Sequence, residues 1–167
     1  MADPQVLIVM GSDSDLPVME EAARVLTEFG VPHEVRISSA HRSPQRTTAL
    51  AAEAAGRGIR VIIAGAGMAA HLAGVVAAET VLPVIGVPMG GGALAGADAL
   101  YATVQMPGGI PVATMAIGRA GAKNAGIFAV QVLALGNDRL TALLKAYRER
   151  MAEEVAAKDR ALRETRP

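Results

Sequence analysis

Short strand-like runs recur along the chain, and each is followed by a loop of small or polar residues and then by a segment with helical periodicity. Most of these runs are continuously apolar, which is typical of strands buried on both faces of a parallel sheet. The alternation predicts a three-layer α/β fold with a five-stranded parallel sheet in the flavodoxin-like order 2-1-3-4-5. The predicted strands are 6–10, 33–37, 61–64, 83–88 and 110–116.

Five helices are predicted between and after these strands. In the first, apolar residues recur at i, i+4, i+7, i+8 and i+11, which is the spacing of one helix face. Gly126, in the fifth, is expected to mark a close approach between two elements. The predicted helices are 17–29, 44–57, the segment that follows the loop 65–71 as far as 79, 94–104 and 123–135.

A sixth, longer helix is predicted at about 138–164, and its length would be about 40 Å at 1.5 Å per residue. That is more than a small domain needs, so we expect its distal half to pack on a neighbouring subunit. A solvated tail is the alternative. The whole chain, 1–167, is predicted to be one α/β domain with its core at 6–135.

Charge and composition exclude several classes of function. Lys+Arg and Asp+Glu both number 16 and aromatic residues make up 2%, whereas nucleic-acid interfaces need cationic surfaces and commonly stacking aromatics. Cysteine is absent, and the three histidines are not at zinc-ligand spacings, so no metal site is predicted. The N-terminal residues do not resemble a secretory signal, and no apolar stretch has membrane-spanning length. We therefore expect a cytoplasmic protein that binds neither nucleic acid nor membrane.

The loop 38–44 carries the densest set of reactive side chains. It follows the second predicted strand and enters a helix at Pro44, where a missing N–H costs nothing. Open α/β sheets bind ligands at such loops. His41 can exchange a proton near neutral pH, and the planar fork of Arg42 suits a phosphate or carboxylate. We predict chemistry at His41 and an anion at Arg42; a structural histidine and a surface arginine are the alternatives.

Two further loops are expected beside this one. In the order 2-1-3-4-5 the chain reverses between strands 1 and 3, so 11–15 and 65–71 should line the same crevice. The first offers glycine, hydroxyls and a helix N-terminus for phosphate, but its two aspartates would repel that group. At least one aspartate should therefore face something else, such as ribose hydroxyls. Alternatively, Ser14 or Asp15 serves only as a helix cap.

Five motifs appear in an order that resembles a known enzyme family. They are MGSDSD at 10–15, SAHRSP at 39–44, GAGMAAHL at 65–72, PVIGVP at 83–88 and VQMPGGIPV at 104–112. Together they closely resemble the class I N5-carboxyaminoimidazole ribonucleotide mutases of purine biosynthesis. The resemblance covers about 6–135, which is most of the chain.

The resemblance implies an isomerase that moves a carboxylate from N5 to C4 of an aminoimidazole ribonucleotide. It would work by decarboxylation and recarboxylation in a closed site, as a homo-octamer with no cofactor or metal. His41 would be the catalytic acid and base, Arg42 and Ser12 would bind phosphate, and Asp15 would bind ribose. The pocket for the ring and carboxylate would be lined by Ser39, Ala66, Gly67, His71 and Leu72. Small residues at 64–74 and 89–93 suit close walls around a flat ring.

Two residues depart from the family pattern. Many members have glycine and proline where this chain has Met68 and Ala73; Met68 would narrow the pocket or pack beneath it. The related class II carboxylases, which use free CO2, typically carry lysine after the histidine, so Arg42 favours the mutase. A non-catalytic nucleotide- or flavin-binding module is a further alternative, which the scarcity of aromatic residues disfavours.

Overall fold

The computed structural model describes residues 3–165 and shows strands and helices alternating around one sheet. The predicted domain, 1–167, also includes residues 1–2 and 166–167, which lie outside the described residues. The strands are β1 (Val6–Met10), β2 (His33–Ile37), β3 (Val61–Ala66), β4 (Val84–Pro88) and β5 (Ala113–Thr114). The helices are α1 (Leu16–Glu28), α2 (Pro44–Ala54), α3 (Leu72–Ala78), α4 (Ala97–Val104), α5 (Arg119–Ala134) and α6 (Asp138–Thr165).

The sheet has the predicted topology. All neighbouring strands pair in parallel, in the order β2-β1-β3-β4-β5. The register sets Met10 of β1 beside Ile37 of β2 and Gly65 of β3. The loops that follow these three strands therefore leave from the same edge of the sheet, where open α/β folds bind ligands.

Alternate residues of β1 face two separate cores, which explains why the strand is apolar throughout. Val6, Ile8 and Met10 pack with residues of α1, α5 and α6 on one face. Leu7 and Val9 pack with residues of α2 and α3 on the other. All five side chains are at most 1% exposed, so the predicted three-layer arrangement is confirmed.

Several predicted boundaries are wrong, each at a backbone peculiarity. β5 is only two residues long, and it begins late because Pro111 has no N–H to give to a ladder and proline is tolerated only at the margins of a sheet. α4 begins three residues later than predicted, after Gly96, whose φ of +91° is outside the helical region. α5 begins four residues earlier than predicted, after Gly118 with φ +76°.

The sixth helix spans the predicted range, but only its first half packs on the rest of the chain. Leu140 and Tyr147 are buried in the first core, and every residue from 151 to 165 is exposed. The exposed part includes Val155 and Leu162, which are 66% and 53% accessible. Packing of this half on a neighbouring subunit stays a prediction.

Two glycines set the position of α5. A Cβ on Gly126 would lie 2.9 Å from the Ala22 carbonyl oxygen of α1, so the predicted close approach at this glycine is confirmed. A Cβ on Gly121 would overlap the carbonyl oxygen of Ala116, in the segment that enters α5. Because both neighbours are backbone atoms, neither can rotate away from an added methyl group.

Replacing Gly121 with alanine is therefore expected to lower the free energy of unfolding by about 3 kcal/mol, the upper part of the usual range for overpacking. Urea denaturation followed by circular dichroism measures it. Gly136→Ala is the matched control, since a Cβ there meets no atom within 4 Å, and it should change stability by less than about 0.5 kcal/mol. Equal stability of the two variants would contradict the packing described for α5.

Candidate active site

The loop after β1 forms a short 3₁₀ turn that is held by its own hydroxyls. Ser12 Oγ accepts hydrogen bonds from the backbone N–H of Ser14 at 3.3 Å and from Ser14 Oγ at 2.9 Å. Ser12 thus caps the turn. Neither predicted cap residue fulfils that role, because Asp15 precedes α1 without a side-chain capping bond and Ser14 bonds to Ser12. The Asp15 carboxylate is consequently left for other contacts.

The loop after β2 is a closed turn whose tip carries the predicted imidazole and guanidinium. Ser43 donates its backbone N–H to the Ser39 carbonyl at 2.9 Å, and Ser39 donates its own N–H to Ser43 Oγ at 3.1 Å. Beneath the turn, the hydroxyls of Ser38 and Thr47 pair at 2.8 Å, and both side chains are almost fully buried. The turn is therefore fixed from both ends and presents its tip at the carboxyl edge of the sheet.

Arg42 joins these first two loops. Its Nη2 donates to the Gly11 carbonyl at 3.1 Å, and its Nε lies 3.5 Å from Ser39 Oγ. The backbone N–H of Arg42 also donates to Ser39 Oγ, at 3.2 Å. Since a guanidinium has five N–H donors, others stay available for an anion while these contacts hold the group in place.

The His41 side chain forms a hydrogen bond with a second histidine, His71, from the loop after β3. His41 Nε2 lies 2.8 Å from Nδ1 of His71, and the two rings meet at 86° with centroids 4.9 Å apart. His71 immediately precedes α3. It contacts His41 and is not among the residues that line the cavity, and its predicted role in substrate binding stays a prediction.

The loops after β1 to β4 line an open cavity of about 490 Å³. The predicted site residues that line it are Ser12, Asp15, Ser39, His41, Arg42, Ala66, Gly67 and Leu72. Of the segment 89–93, which was expected to form a close wall, Gly90, Gly91 and Gly92 are the small residues that line the cavity. The predicted binding set omits Ser14 and Met89, which also line the cavity. The Ser-x-Ser spacing was a usable signal for Ser14; nothing in the sequence singles out Met89.

A larger groove, of about 880 Å³, lies near the start of β4 and is lined chiefly by alanine and aliphatic side chains. Glu79 is the one ionisable residue among the described residues that line it, so this groove offers no acid–base pair. Within residues 3–165, no group of three histidine, aspartate or glutamate side chains is placed to hold a metal ion. The smaller cavity is therefore the one that is lined by several ionisable side chains, those of Asp15, His41 and Arg42.

The family model described as AIR carboxylase matches residues 5–154. The chain belongs to the AIR carboxylase family. An N5-carboxyaminoimidazole ribonucleotide mutase of Mycobacterium tuberculosis is 56% identical over 156 residues, covering 93% of this chain and 88% of that protein. The mutase of Thermotoga maritima is 56% identical over 155 residues, covering 93% and 90%. A crystal structure of Treponema denticola PurE matches with a TM-score of 0.86 at 31% identity, covering 95% and 98%. The resemblance inferred from the five motifs is thereby confirmed.

Met68 occupies an unusual place in this AIR carboxylase family chain. Its φ of +54° lies in the left-handed region that favours glycine. The side chain is 63% exposed and lines the cavity. A Cβ on Gly92, in the loop after β4, would lie 3.4 Å from Met68 Cγ. Of the two expected placements, the structure thus favours a methionine that narrows the cavity between two loops, not one that packs beneath it.

The surroundings of Asp15 shift the pKa of its carboxyl group. Partial burial raises the pKa of Asp15 above its ordinary value of 3.8, and the neighbouring Asp13 carboxylate adds to the rise. A backbone hydrogen bond at Ser12 and the charge of Arg42 lower the pKa and oppose the rise only in part. The carboxylate is therefore imperfectly solvated and would gain from a ligand hydroxyl.

Replacing Asp15 with asparagine should make the protein slightly more stable near neutral pH, by less than about 1 kcal/mol because the group is partly solvated. The folded protein binds the Asp15 proton more tightly than the unfolded chain does. Its contribution to stability is therefore complete below the unfolded pKa and is lost as the pH rises through the folded pKa. The advantage of Asp15→Asn should vanish in acid below about pH 3.8. Urea titrations across this range measure it, and a constant difference at every pH would contradict the assignment.

Proposed function

We propose that this chain is an N5-carboxyaminoimidazole ribonucleotide mutase of de novo purine biosynthesis, which produces 4-carboxy-5-aminoimidazole ribonucleotide. Relatives at 56% identity carry the mutase name. Within this chain, one observation carries the proposal. Among the described residues that line the cavity, His41 is the one histidine and Arg42 the one arginine, and they lie side by side on a wall otherwise built largely of small residues.

The proposed reaction needs a side chain that both gives and takes a proton. The N5 carboxylate is a carbamate, which releases CO2 once its nitrogen is protonated. The ring carbon C4 is enamine-like, so it attacks CO2 without a metal or a strong nucleophile, and its own proton then leaves. His41 suits both proton transfers, because imidazole exchanges protons near neutral pH. The reaction also needs a site that keeps CO2 beside C4 and limits the access of water once the substrate is bound.

The remaining predicted residues divide the substrate between them. Arg42 and Ser12 bind the phosphate; the bond from Arg42 to Gly11 supports this, since it draws the guanidinium to the loop that holds Ser12. Asp15 binds the ribose hydroxyls, which would satisfy its partly buried carboxylate. The ring and its carboxylate lie against Ser39, Ala66, Gly67 and Leu72.

The test is a comparison of two substrates with the purified protein. Conversion of the N5-carbamate without added bicarbonate supports the mutase. Activity only with aminoimidazole ribonucleotide and CO2 would replace it with a class II carboxylase, which Arg42 already disfavours. A flavin-binding module would bind flavin and would need no histidine. It is disfavoured because the described residues lining the cavity include neither phenylalanine nor tyrosine.

We propose further that the protein is a homo-octamer and is located in the cytoplasm. As a homo-octamer, the protein would cover the exposed apolar side chains of the distal half of α6, among them Met151 and Val155. A phosphorylated ribonucleotide substrate fits a cytoplasmic enzyme. No helix within residues 3–165 is long and apolar enough to cross a membrane. Light scattering of the full chain tests the octamer, and a monomeric mass would contradict it.

A further inference from the structure

Met68 has a backbone conformation and an exposure that the fold does not explain. Its φ of +54° places a long side chain in the left-handed region, which is unfavourable for any residue that carries a Cβ. The side chain is 63% exposed and belongs to neither of the two hydrophobic cores, so burial does not offset the strain. A strained methionine that packs in no core points to a role in the cavity that it lines.

The backbone around Met68 is well constrained. The Met68 carbonyl accepts a hydrogen bond from the N–H of Ala70 at 2.8 Å, and the Ala69 carbonyl accepts one from the N–H of His71 at 2.8 Å. Both bonds join residues two positions apart, so the segment follows a tight path into α3. The point from which the Met68 side chain extends is therefore fixed.

The loops after β3 and β4 lie side by side from their roots to their outer ends. At the roots, the Ala66 carbonyl accepts a hydrogen bond from the N–H of Met89 at 2.9 Å. One residue further along, a Cβ on Gly67 would lie 3.3 Å from Met89 Cβ. At the outer end, a Cβ on Gly92 would lie 3.4 Å from Met68 Cγ and 3.9 Å from its Sδ. The Met68 side chain thus fills the outer part of the gap between the two loops.

The loop after β4 offers no bulk of its own at this point. Gly90, Gly91 and Gly92 are exposed and have no side chains. Among residues 3–165, neither Gly90 nor Gly91 makes a backbone hydrogen bond. Without the methionine side chain, glycine backbone alone would face the loop after β3 across the outer end of the gap.

We propose that Met68 is a specificity-determining residue: by filling the gap between the loops after β3 and β4, it keeps the released CO2 in the cavity, so that recarboxylation prevails over loss of CO2. The proposal rests on the function proposed above, in which the substrate ring and its carboxylate lie against Ala66 and Gly67. These two residues directly precede Met68 and line the same cavity. CO2 released from the carbamate would therefore form beside the gap that Met68 fills.

Two outcomes compete once N5 has taken a proton from His41 and the N5–C bond has broken. If C4 attacks CO2, ring electrons form the new C–C bond and the C4 proton returns to His41. If CO2 escapes first, aminoimidazole ribonucleotide remains with the proton on N5, and His41 regains a proton from water. CO2 has no net charge and no N–H or O–H to donate, so only weak contacts and closed walls retain it. The bulk of Met68 favours the first outcome.

Three substitutions of Met68 separate the bulk of its side chain from the strain of its backbone. Met68→Leu keeps an apolar side chain of similar volume. Met68→Ala removes the bulk but keeps a Cβ in the left-handed region, and Met68→Gly removes both the bulk and the strain. We expect the ratio of aminoimidazole ribonucleotide to carboxylated product to rise about 10-fold in the alanine and glycine variants, the effect of a small shift between the barriers to escape and to capture. In Met68→Leu the ratio should stay within about 3-fold of that of the unsubstituted protein.

The ratio is measured with the purified full chain and the N5-carbamate in ¹³C-labelled bicarbonate, with carbonic anhydrase present so that dissolved CO2 carries the label. Chromatography separates the two products at early times, and mass spectrometry gives the label in the new carboxylate, which enters when the original CO2 has left. A sample without protein corrects for spontaneous loss of CO2. An unchanged ratio in both small variants, a rise in Met68→Gly alone, or equal rises in the leucine and alanine variants would each overturn the proposal.

NMR of the ligand-free protein with ¹³C-labelled methionine tests the contact without turnover. We expect a cross-peak between the γ protons of Met68 and the α protons of Gly92, and its absence would overturn the proposal even in an active enzyme. If the unsubstituted protein does not convert the carbamate, the proposed function fails and the role in CO2 retention fails with it. The cross-peak then shows separately whether Met68 spans the two loops.

Discussion

Replacing His41 with asparagine is expected to lower kcat by about 10²- to 10⁴-fold, the contribution of a positioned general acid and base. Both proton transfers of the proposed reaction pass through this ring, and asparagine can neither give nor take a proton near neutral pH. Its amide still occupies the tip of the turn after β2, so the loop should keep its shape. Turnover of the N5-carbamate measures the loss.

Ligand binding provides the control for His41→Asn. Calorimetric titration with 4-carboxy-5-aminoimidazole ribonucleotide should give a Kd within a few-fold of that of the unsubstituted protein, since phosphate and ribose are bound by Arg42, Ser12 and Asp15. The exposed position of His41 leaves no cavity on substitution, so thermal stability should barely change. Retention of more than a tenth of kcat would remove His41 from the catalytic role.

The topology could be predicted because its causes are local. The apolar strand Val6–Met10 is buried on both faces by the pleat of the strand itself. The strand order then placed the loops after β1 and β3 side by side, without any knowledge of side-chain contacts. Most predicted site residues consequently line one cavity, although their roles remain predictions.

What the sequence did not reveal depends on exact distances between loops. The hydrogen bond between His41 and His71 requires Nε2 of one ring to come within 2.8 Å of Nδ1 of the other. The two loops that carry these rings follow β2 and β3, which are not adjacent because β1 lies between them. The capping role of Ser12 depends likewise on the local 3₁₀ turn, which competes with the simpler cap expected from Ser14 or Asp15. Periodicity and composition carry no information on such geometry.

Replacing Arg42 with alanine should weaken binding of the ribonucleotide by about 10- to 100-fold, which corresponds to the loss of a hydrogen bond to a charged group. The guanidinium is fixed by Gly11 and Ser39 before any ligand arrives, so little conformational entropy is lost when it binds a phosphate. The effect should therefore fall on KM and Kd, with a smaller change in kcat. Calorimetric titration and steady-state kinetics measure the two separately.

Lysine at position 42 is the matched control, because it keeps the charge and removes the fork. A lysine ammonium cannot contact the Gly11 carbonyl and Ser39 Oγ in the geometry of a guanidinium and still present parallel N–H groups to a phosphate. Arg42→Lys should consequently bind the ribonucleotide with an affinity between those of the alanine variant and the unsubstituted protein. Equal affinity of the lysine variant and the unsubstituted protein would mean that charge alone suffices. Equal affinity of all three proteins would show that the phosphate is bound elsewhere in the cavity. Ser12 would then also lose its assignment to the phosphate, because it lies with Arg42 between the loops after β1 and β2.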